Sequence, residues 1–236
     1  MQITRHEKYI RRRNRLGIYA SLAGLAVLVV GFVITLQQNQ DLLWISLVAI
    51  LAGFILAQFG NYSLRRWGRS PRPDQVIETA LKGLDDRYHY YAWALPWPYV
   101  LLSPQGIHLF VVRDQTGEVS VNGAHWKSKF SFTRLLMAFA QEGLGNPTEE
   151  ALDAAKRFTD WIKAKLPNFS GTVQPLILFI DPRVRLQVNE PLVPVMEPKN
   201  LKKWLRGAGK GDYLKNADLR ALEELFTAEA ATRLAK

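Results

Sequence analysis

The 236-residue chain contains no cysteine. That excludes a disulfide framework, a cysteine-ligated zinc, a haem–thiolate, an iron–sulfur cluster, a thiol nucleophile and any redox thiol. Histidine is scarce: His6, His89, His108 and His125 are the four, and none forms an HExxH or HxH pair. No GxSxG elbow is present. Gly207–Asp212 has the composition of a phosphate loop but lacks the GxxxxGK[ST] spacing and follows a helical pattern rather than a strand, so it reads as a flexible loop. There is no internal repeat and no low-complexity tract. With 48% hydrophobic residues the chain is too apolar for disorder and long enough for a sizeable core.

Acidic residues are also in short supply, 21 against 31 Lys+Arg, but unevenly so. Residues 1–72 carry ten Lys/Arg and two acids, whereas residues 73–236 carry 21 and 19. The high isoelectric point therefore does not describe a nucleic-acid-binding domain, whose folded part would hold the charge. The excess flanks two apolar stretches instead. Leu16–Leu36 is 21 residues with no ionisable group except Tyr19, and Leu42–Phe59 is 18 residues interrupted only by Gln58. At 1.5 Å per residue the first spans roughly 30 Å, the hydrocarbon thickness of a bilayer. The five-residue link Gln37–Asp41 only turns the chain back, so the pair reads as a transmembrane helical hairpin. A cleaved signal peptide would have a shorter apolar core and a small-residue cleavage site.

Arg5, Lys8, Arg11, Arg12, Arg13 and Arg15 precede the first span, none lies in the turn, and Arg65, Arg66, Arg69 and Arg72 follow the second. The positive-inside rule then expects an inner-membrane protein with both termini cytoplasmic. The lipid bilayer is the first partner implied. Arg11, Arg12, Arg13, Arg15, Arg65, Arg66 and Arg69 either set topology alone or also hold anionic lipid. Trp44, Tyr62 and Trp67 fall where interfacial aromatics belong. Ala49, Gly53 and Ala57 recur every four residues, as do Ala20 and Gly24, a spacing that lets helices approach closely. They would serve packing between the two spans or contact with another subunit.

The organisation expected is a basic N-terminus over 1–15, the hairpin over 16–59, a basic juxtamembrane linker over 60–73 and a cytoplasmic domain over 74–236. Periodicity in that domain predicts a helix from Pro73 to Leu84. Strands follow over Tyr88–Leu95, Tyr99–Ser103 and Ile107–Arg113, and a fourth over Glu118–Asn122 that extends past Gly123 to Trp126. A helix over Phe132–Gln141 comes next. A second starts at Asn146, with Pro147 at its first position and Glu149 at its third. Then come a buried strand Val173–Ile180, short strands Val184–Val188 and Leu192–Met196, a helix Lys199–Arg206 and an amphipathic helix Leu214–Leu234. Helix, three or four meandering strands, helix and strand make an α+β domain.

That order, with certain local words, resembles the nuclease-related domain called NERD, a relative of restriction-endonuclease-like nucleases. The words are Asp74-Gln75-Val76 opening the helix; Tyr99–Ser103, the turn Pro104-Gln105-Gly106 and Ile107–Arg113; then Gly117 and Gly123-Ala124-His125-Trp126. The resemblance implies a restriction-endonuclease-like fold. It also implies an acid before the first of these strands and an acid-x-Lys set on the second, holding a divalent cation and orienting water. Here the first position falls in Pro96-Trp97-Pro98 and the second on Val111-Val112-Arg113. A hard cation needs oxygen ligands, and these replacements supply none. The expectation is a pseudoenzyme with no catalytic residues, no metal and no cofactor. It would act in binding or scaffolding beside another membrane or cytoplasmic protein. The alternative is an active tethered nuclease with ligands relocated to Glu78, Asp114 or Glu118. The aromatic residues Tyr88, Tyr90, Trp93 and Trp97 are core, a partner surface, or a stacking platform for single-stranded nucleic acid. The near-neutral domain disfavours the last.

Overall fold

The computed structural model describes residues 1–37, 40–128, 143–208 and 214–235. The helix expected over Phe132–Gln141 and most of the glycine-rich loop after Gly207 lie outside the described residues. The chain forms two compact units. One comprises Met1–His6, Pro73–Ser131 and Gly143–Lys236, and the other takes in Glu7–Arg72.

The second unit is a pair of long apolar helices, α1 (Glu7–Leu36) and α2 (Leu43–Ser63). Both are long and apolar enough to cross a membrane, and only 17% of each apolar window is buried. Leu22, Leu25, Val29, Phe32, Leu47, Val48 and Leu51 point outward. A core helix of a water-soluble protein would bury such side chains. The helix starts well before the apolar run, so Arg11–Arg15 are helical rather than part of a loose tail.

The buried positions of α1 are Ile10, Gly17, Gly24 and Gly31, and those of α2 include Ser46, Gly53 and Gly60. Each set recurs every seven residues, the period of a left-handed pair. Gly53 is one of them, while Ala49 and Ala57 flank the seam half-buried. A Cβ added at Gly24 would lie 2.6 Å from the Ala57 nitrogen and 2.9 Å from the Gly53 carbonyl oxygen. One added at Gly31 would meet Ala49 Cβ at 3.2 Å. The small residues therefore pack α1 against α2 in antiparallel fashion. Near the turn, Ser46 and Thr35 hydroxyls each donate to the Gly31 carbonyl at 2.9 Å and contact one another. That cluster satisfies its own polar groups within the helix pair.

The first unit is a mixed α/β domain built on a six-stranded sheet in the order β1-β2-β3-β4-β7-β9. Its strands are β1 (Gln2–Arg5), β2 (His89–Ala92), β3 (Tyr99–Ser103), β4 (Gly106–Arg113), β7 (Val173–Phe179) and β9 (Val195–Met196). Strands β2, β3 and β4 form an antiparallel meander, with Leu102 opposite Ile107 across a turn that Gly106 opens at φ +140°. β4 and β7 are parallel, joined through α4 (Pro147–Lys165). A second sheet holds β6 (His125–Ser128), β5 (Gly117–Asn122) and β8 (Val184–Asn189). The large sheet is covered on both faces, so β3 and β4 read as continuous apolar runs. Tyr91, Val100, Leu109 and Val111 face α4 and α6 (Asn216–Leu234) through Phe158, Ile162, Leu222 and Phe226. Tyr90, Leu101, Phe110 and Leu178 face α3 (Pro73–Leu81) and α5 (Pro198–Ala208) through Ile77, Leu81, Leu201 and Leu205.

Helix α4 begins as its sequence requires: Asn146 accepts from the Glu149 amide at 3.3 Å, with Pro147 next. α3 stops at Leu81, short of Leu84. Of the span Leu192–Met196 only Val195–Met196 is strand, paired with Ile177–Leu178. Strand β1 has no counterpart in the sequence reading. It lies parallel to β2, with Ile3 opposite Tyr90.

His108 on β4 is fully buried. Its Nε2 sits 3.0 Å from the Ser103 hydroxyl, which donates to the Gly106 carbonyl, and among the described residues its Nδ1 has no partner. Burial pushes its pKa down from 6.5 to about 4, and burial also lowers that of His89. Between those two values the unfolded chain takes up a proton that folded His108 refuses. Stability is therefore expected to fall as pH drops from 7 towards 4, by about 3 kcal/mol from His108 alone. Urea titrations of wild type and His108→Leu should show a shallower pH slope in the variant; parallel curves would contradict this.

Candidate functional site

Three places in the structure bear on function. The first is the end of β4, where the resemblance expects an acid-x-Lys set. Residues two apart on a strand share a face, so Val111 and Arg113 both look towards α4. Val111 is 1% exposed within the core. Arg113, 9% exposed, ion-pairs with Glu150 in the first turn of α4. Trp97 donates from Nε1 to the Phe110 carbonyl at 3.1 Å and packs on the same core. The strand end is thus filled by an indole and aliphatic groups, and one carboxylate reaches the guanidinium. Among the described residues no three of His, Asp or Glu converge as a metal site would need. Of the acids weighed as relocated ligands, Glu78 ion-pairs with Arg5, and Asp114 and Glu118 each have interactions of their own.

The second place is the aromatic cluster, where the structure separates the alternatives left open by the sequence. Tyr90 is fully buried and Tyr88 is 7% exposed, so neither offers a partner surface. Both point into the core on the α3 side of the sheet. Trp93 and Trp97 are half-buried. Trp93 adopts φ +59°, stacks edge-on against Tyr99 at 5.4 Å, and donates its amide to Pro98 at 2.7 Å. In the loop Trp93–Pro98, Ala94 and Leu95 are buried and Pro96 is exposed.

The third place is the basic end of α1. Its cations divide into two sets. Arg13 lies 5.2 Å from the Tyr9 ring and 5.7 Å from that of Trp67. Arg66 lies 5.8 Å from Trp67 and donates to the Tyr62 hydroxyl at 3.3 Å. These contacts bury Trp67 to 7% exposure, so it is a packing residue and not an interfacial anchor. Arg13 and Arg66 hold it by cation–π attraction. Arg65 and Arg69 are half-buried and engaged. By contrast Lys8, Arg11, Arg12 and Arg15 are exposed and line one open groove with Leu16 and Tyr19. The sequence reading used Lys8 only for topology and did not group Tyr19 with the cations. Their spacing of i, i+3, i+4, i+7, i+8 and i+11 was the signal, since it places all six on one face of a helix.

Comparison with known proteins places the chain in no group: no family model, no characterised protein and no solved structure matches it.

Proposed function

We propose that this is a hairpin-anchored inner-membrane protein whose α/β domain is a nuclease-related, restriction-endonuclease-like domain that has lost its chemistry. It serves as a binding or scaffold subunit of a membrane complex. Support for the fold is the succession α3, antiparallel β2-β3-β4, α4 and parallel β7, which is the helix–three strands–helix–strand order the resemblance implies. The observation that carries the loss of chemistry is the burial of Val111 beside an Arg113 already neutralised by Glu150. A cation there would meet methyl groups where it needs oxygens. The near-neutral charge of residues 73–236 speaks for a protein partner over nucleic acid.

Membrane topology follows from connectivity. The helices run antiparallel, so α1 begins and α2 ends at the same side. The basic residues at that side make it cytoplasmic.

The test uses the full chain in detergent with supercoiled DNA or RNA and magnesium or manganese. No cleavage above a chain-free control is expected. Metal-dependent cleavage that disappears in Glu78→Ala or Glu150→Ala would establish an enzyme instead. Because the chain lacks cysteine, Asp41→Cys and Lys165→Cys provide clean topology probes in the same preparation of cells. An impermeant maleimide should label the first in intact spheroplasts and the second only after lysis; the reverse pattern would overturn the orientation.

A further inference from the structure

We propose that the groove formed by Lys8, Arg11, Arg12, Arg15, Leu16 and Tyr19 on α1 binds the head group of an anionic phospholipid. Among the described residues none of the four cations has a carboxylate partner. The neighbouring acid Glu7 is taken by Arg72 at 3.2 Å, and Arg13 and Arg66 are spent on Trp67. The groove therefore concentrates uncompensated positive charge on a single helix face, which is what an anionic phosphate ester needs.

Its lower end decides the class of ligand. Leu16 and Tyr19 close the groove, and Leu22 continues the same helix face beyond it, more than half exposed. A ligand that fits must offer an anionic head and an apolar tail along one line. From Lys8 to Arg15 the helix rises about 10 Å, close to the roughly 5–7 Å of a head-group layer once long side chains snorkel. A free phosphate or a nucleic-acid backbone would leave the apolar half of the groove in water. Tyr19 lies at the depth where amphipathic rings favour the interface.

The inference rests on the reading of α1 and α2 as membrane spans, and the test separates the two. The full chain is reconstituted in nanodiscs of phosphatidylcholine with a minor fraction of phosphatidylglycerol, and lipids retained after release are counted by native mass spectrometry. Wild type should retain phosphatidylglycerol at about fivefold or more above its bulk proportion, since each basic residue near the surface contributes a factor of that order. Arg11→Gln/Arg15→Gln should lose most of the enrichment, and the fourfold glutamine variant at Lys8, Arg11, Arg12 and Arg15 all of it. Arg65→Gln/Arg69→Gln removes as much charge as the first variant and should keep it. Equal loss in that control, displacement by excess inorganic phosphate, or no enrichment in wild type would overturn the site. Carbonate extraction of the same protein from membranes reports on the spans: release would remove the spanning reading and the lipid site together. Retention without enrichment would remove the lipid site alone.

Discussion

Replacing Gly24 by leucine is expected to break the α1–α2 pair. The obstacle to a side chain there is main chain of the facing helix, the Ala57 nitrogen at 2.6 Å and the Gly53 oxygen at 2.9 Å. A flexible side chain could rotate away, but a helix backbone moves only as a body. The two axes must separate, and separation forfeits the contacts of Gly17, Gly31 and Gly60 in the same seam. Overpacking of a protein interior costs about 1–3 kcal/mol, and a backbone obstacle belongs at the upper end or beyond. On the proposed membrane-spanning reading, close packing and interhelical hydrogen bonds replace the hydrophobic drive, and little else would hold the pair. Heating full-length protein in detergent and following the monodisperse fraction should place Gly24→Leu far below wild type, with Gly24→Ala between them. Gly207→Ala is the comparator: among the described residues nothing lies within 4 Å of its new methyl, so it should be neutral or stabilising by about 0.5–1 kcal/mol. An unaltered melting profile for Gly24→Leu would mean the helices do not approach as described.

That seam shows what sequence alone conveys and what it does not. Two long apolar runs and a five-residue link were enough for the helix pair, because a link that short can only turn the chain back on itself. The four-residue recurrence of Ala49, Gly53 and Ala57 identified the right face. The repeat of seven in Gly17, Gly24 and Gly31 becomes meaningful only once Ser46, Gly53 and Gly60 are seen opposite it. In the domain, β3 and β4 were legible because buried strands are uniformly apolar and a Pro-Gln-Gly turn joins them. The Asn146 cap was legible because capping is local. The fate of Tyr88 and Tyr90 was not, since an aromatic strand residue reads the same whether a helix covers its face or a partner does. Only the placement of α3 and α5 decides it. At the candidate site, the lack of any acid at Val111 or in Pro96-Trp97-Pro98 was visible in sequence, but the pairing of Arg113 with Glu150 joins residues 37 apart. The basic groove was half legible: charge revealed Arg11, Arg12 and Arg15, and only helical geometry separated them from Arg13 and added Lys8 and Tyr19.

The second large effect concerns the element that sequence did not reveal. Gln2–Arg5 is short, polar and adjacent to a basic run, with nothing to mark it as a strand. Its partner β2 lies more than eighty residues on, across the whole hairpin. Main-chain bonds hold its two ends, Gln2 to Tyr88 at 2.9 Å and His6 to Ala92 at 3.0 Å. Arg5 fixes it from the side: its Nε lies 2.8 Å from Asp74, which is 1% exposed, and a terminal nitrogen pairs with Glu78. Asp74 opens α3, where a carboxylate also favours the helix N-terminus. Arg5→Met is therefore expected to destabilise the domain by about 3–5 kcal/mol, because it leaves a buried carboxylate without its arginine. Arg5→Met/Asp74→Leu should recover much of that loss, since no charge is then stranded. A truncation to residues 73–236 goes further: it bares the β2 edge over Tyr90, Tyr91 and Ala92, all fully buried when β1 is present, and should aggregate by edge pairing. Urea unfolding of the full-length variants, and light scattering of the truncated domain, measure both. If Arg5→Met were silent and the truncated domain stayed monomeric and equally stable, β1 would be an ornament of the sheet. If both effects appear, the domain completes its sheet only with residues that precede the first apolar helix.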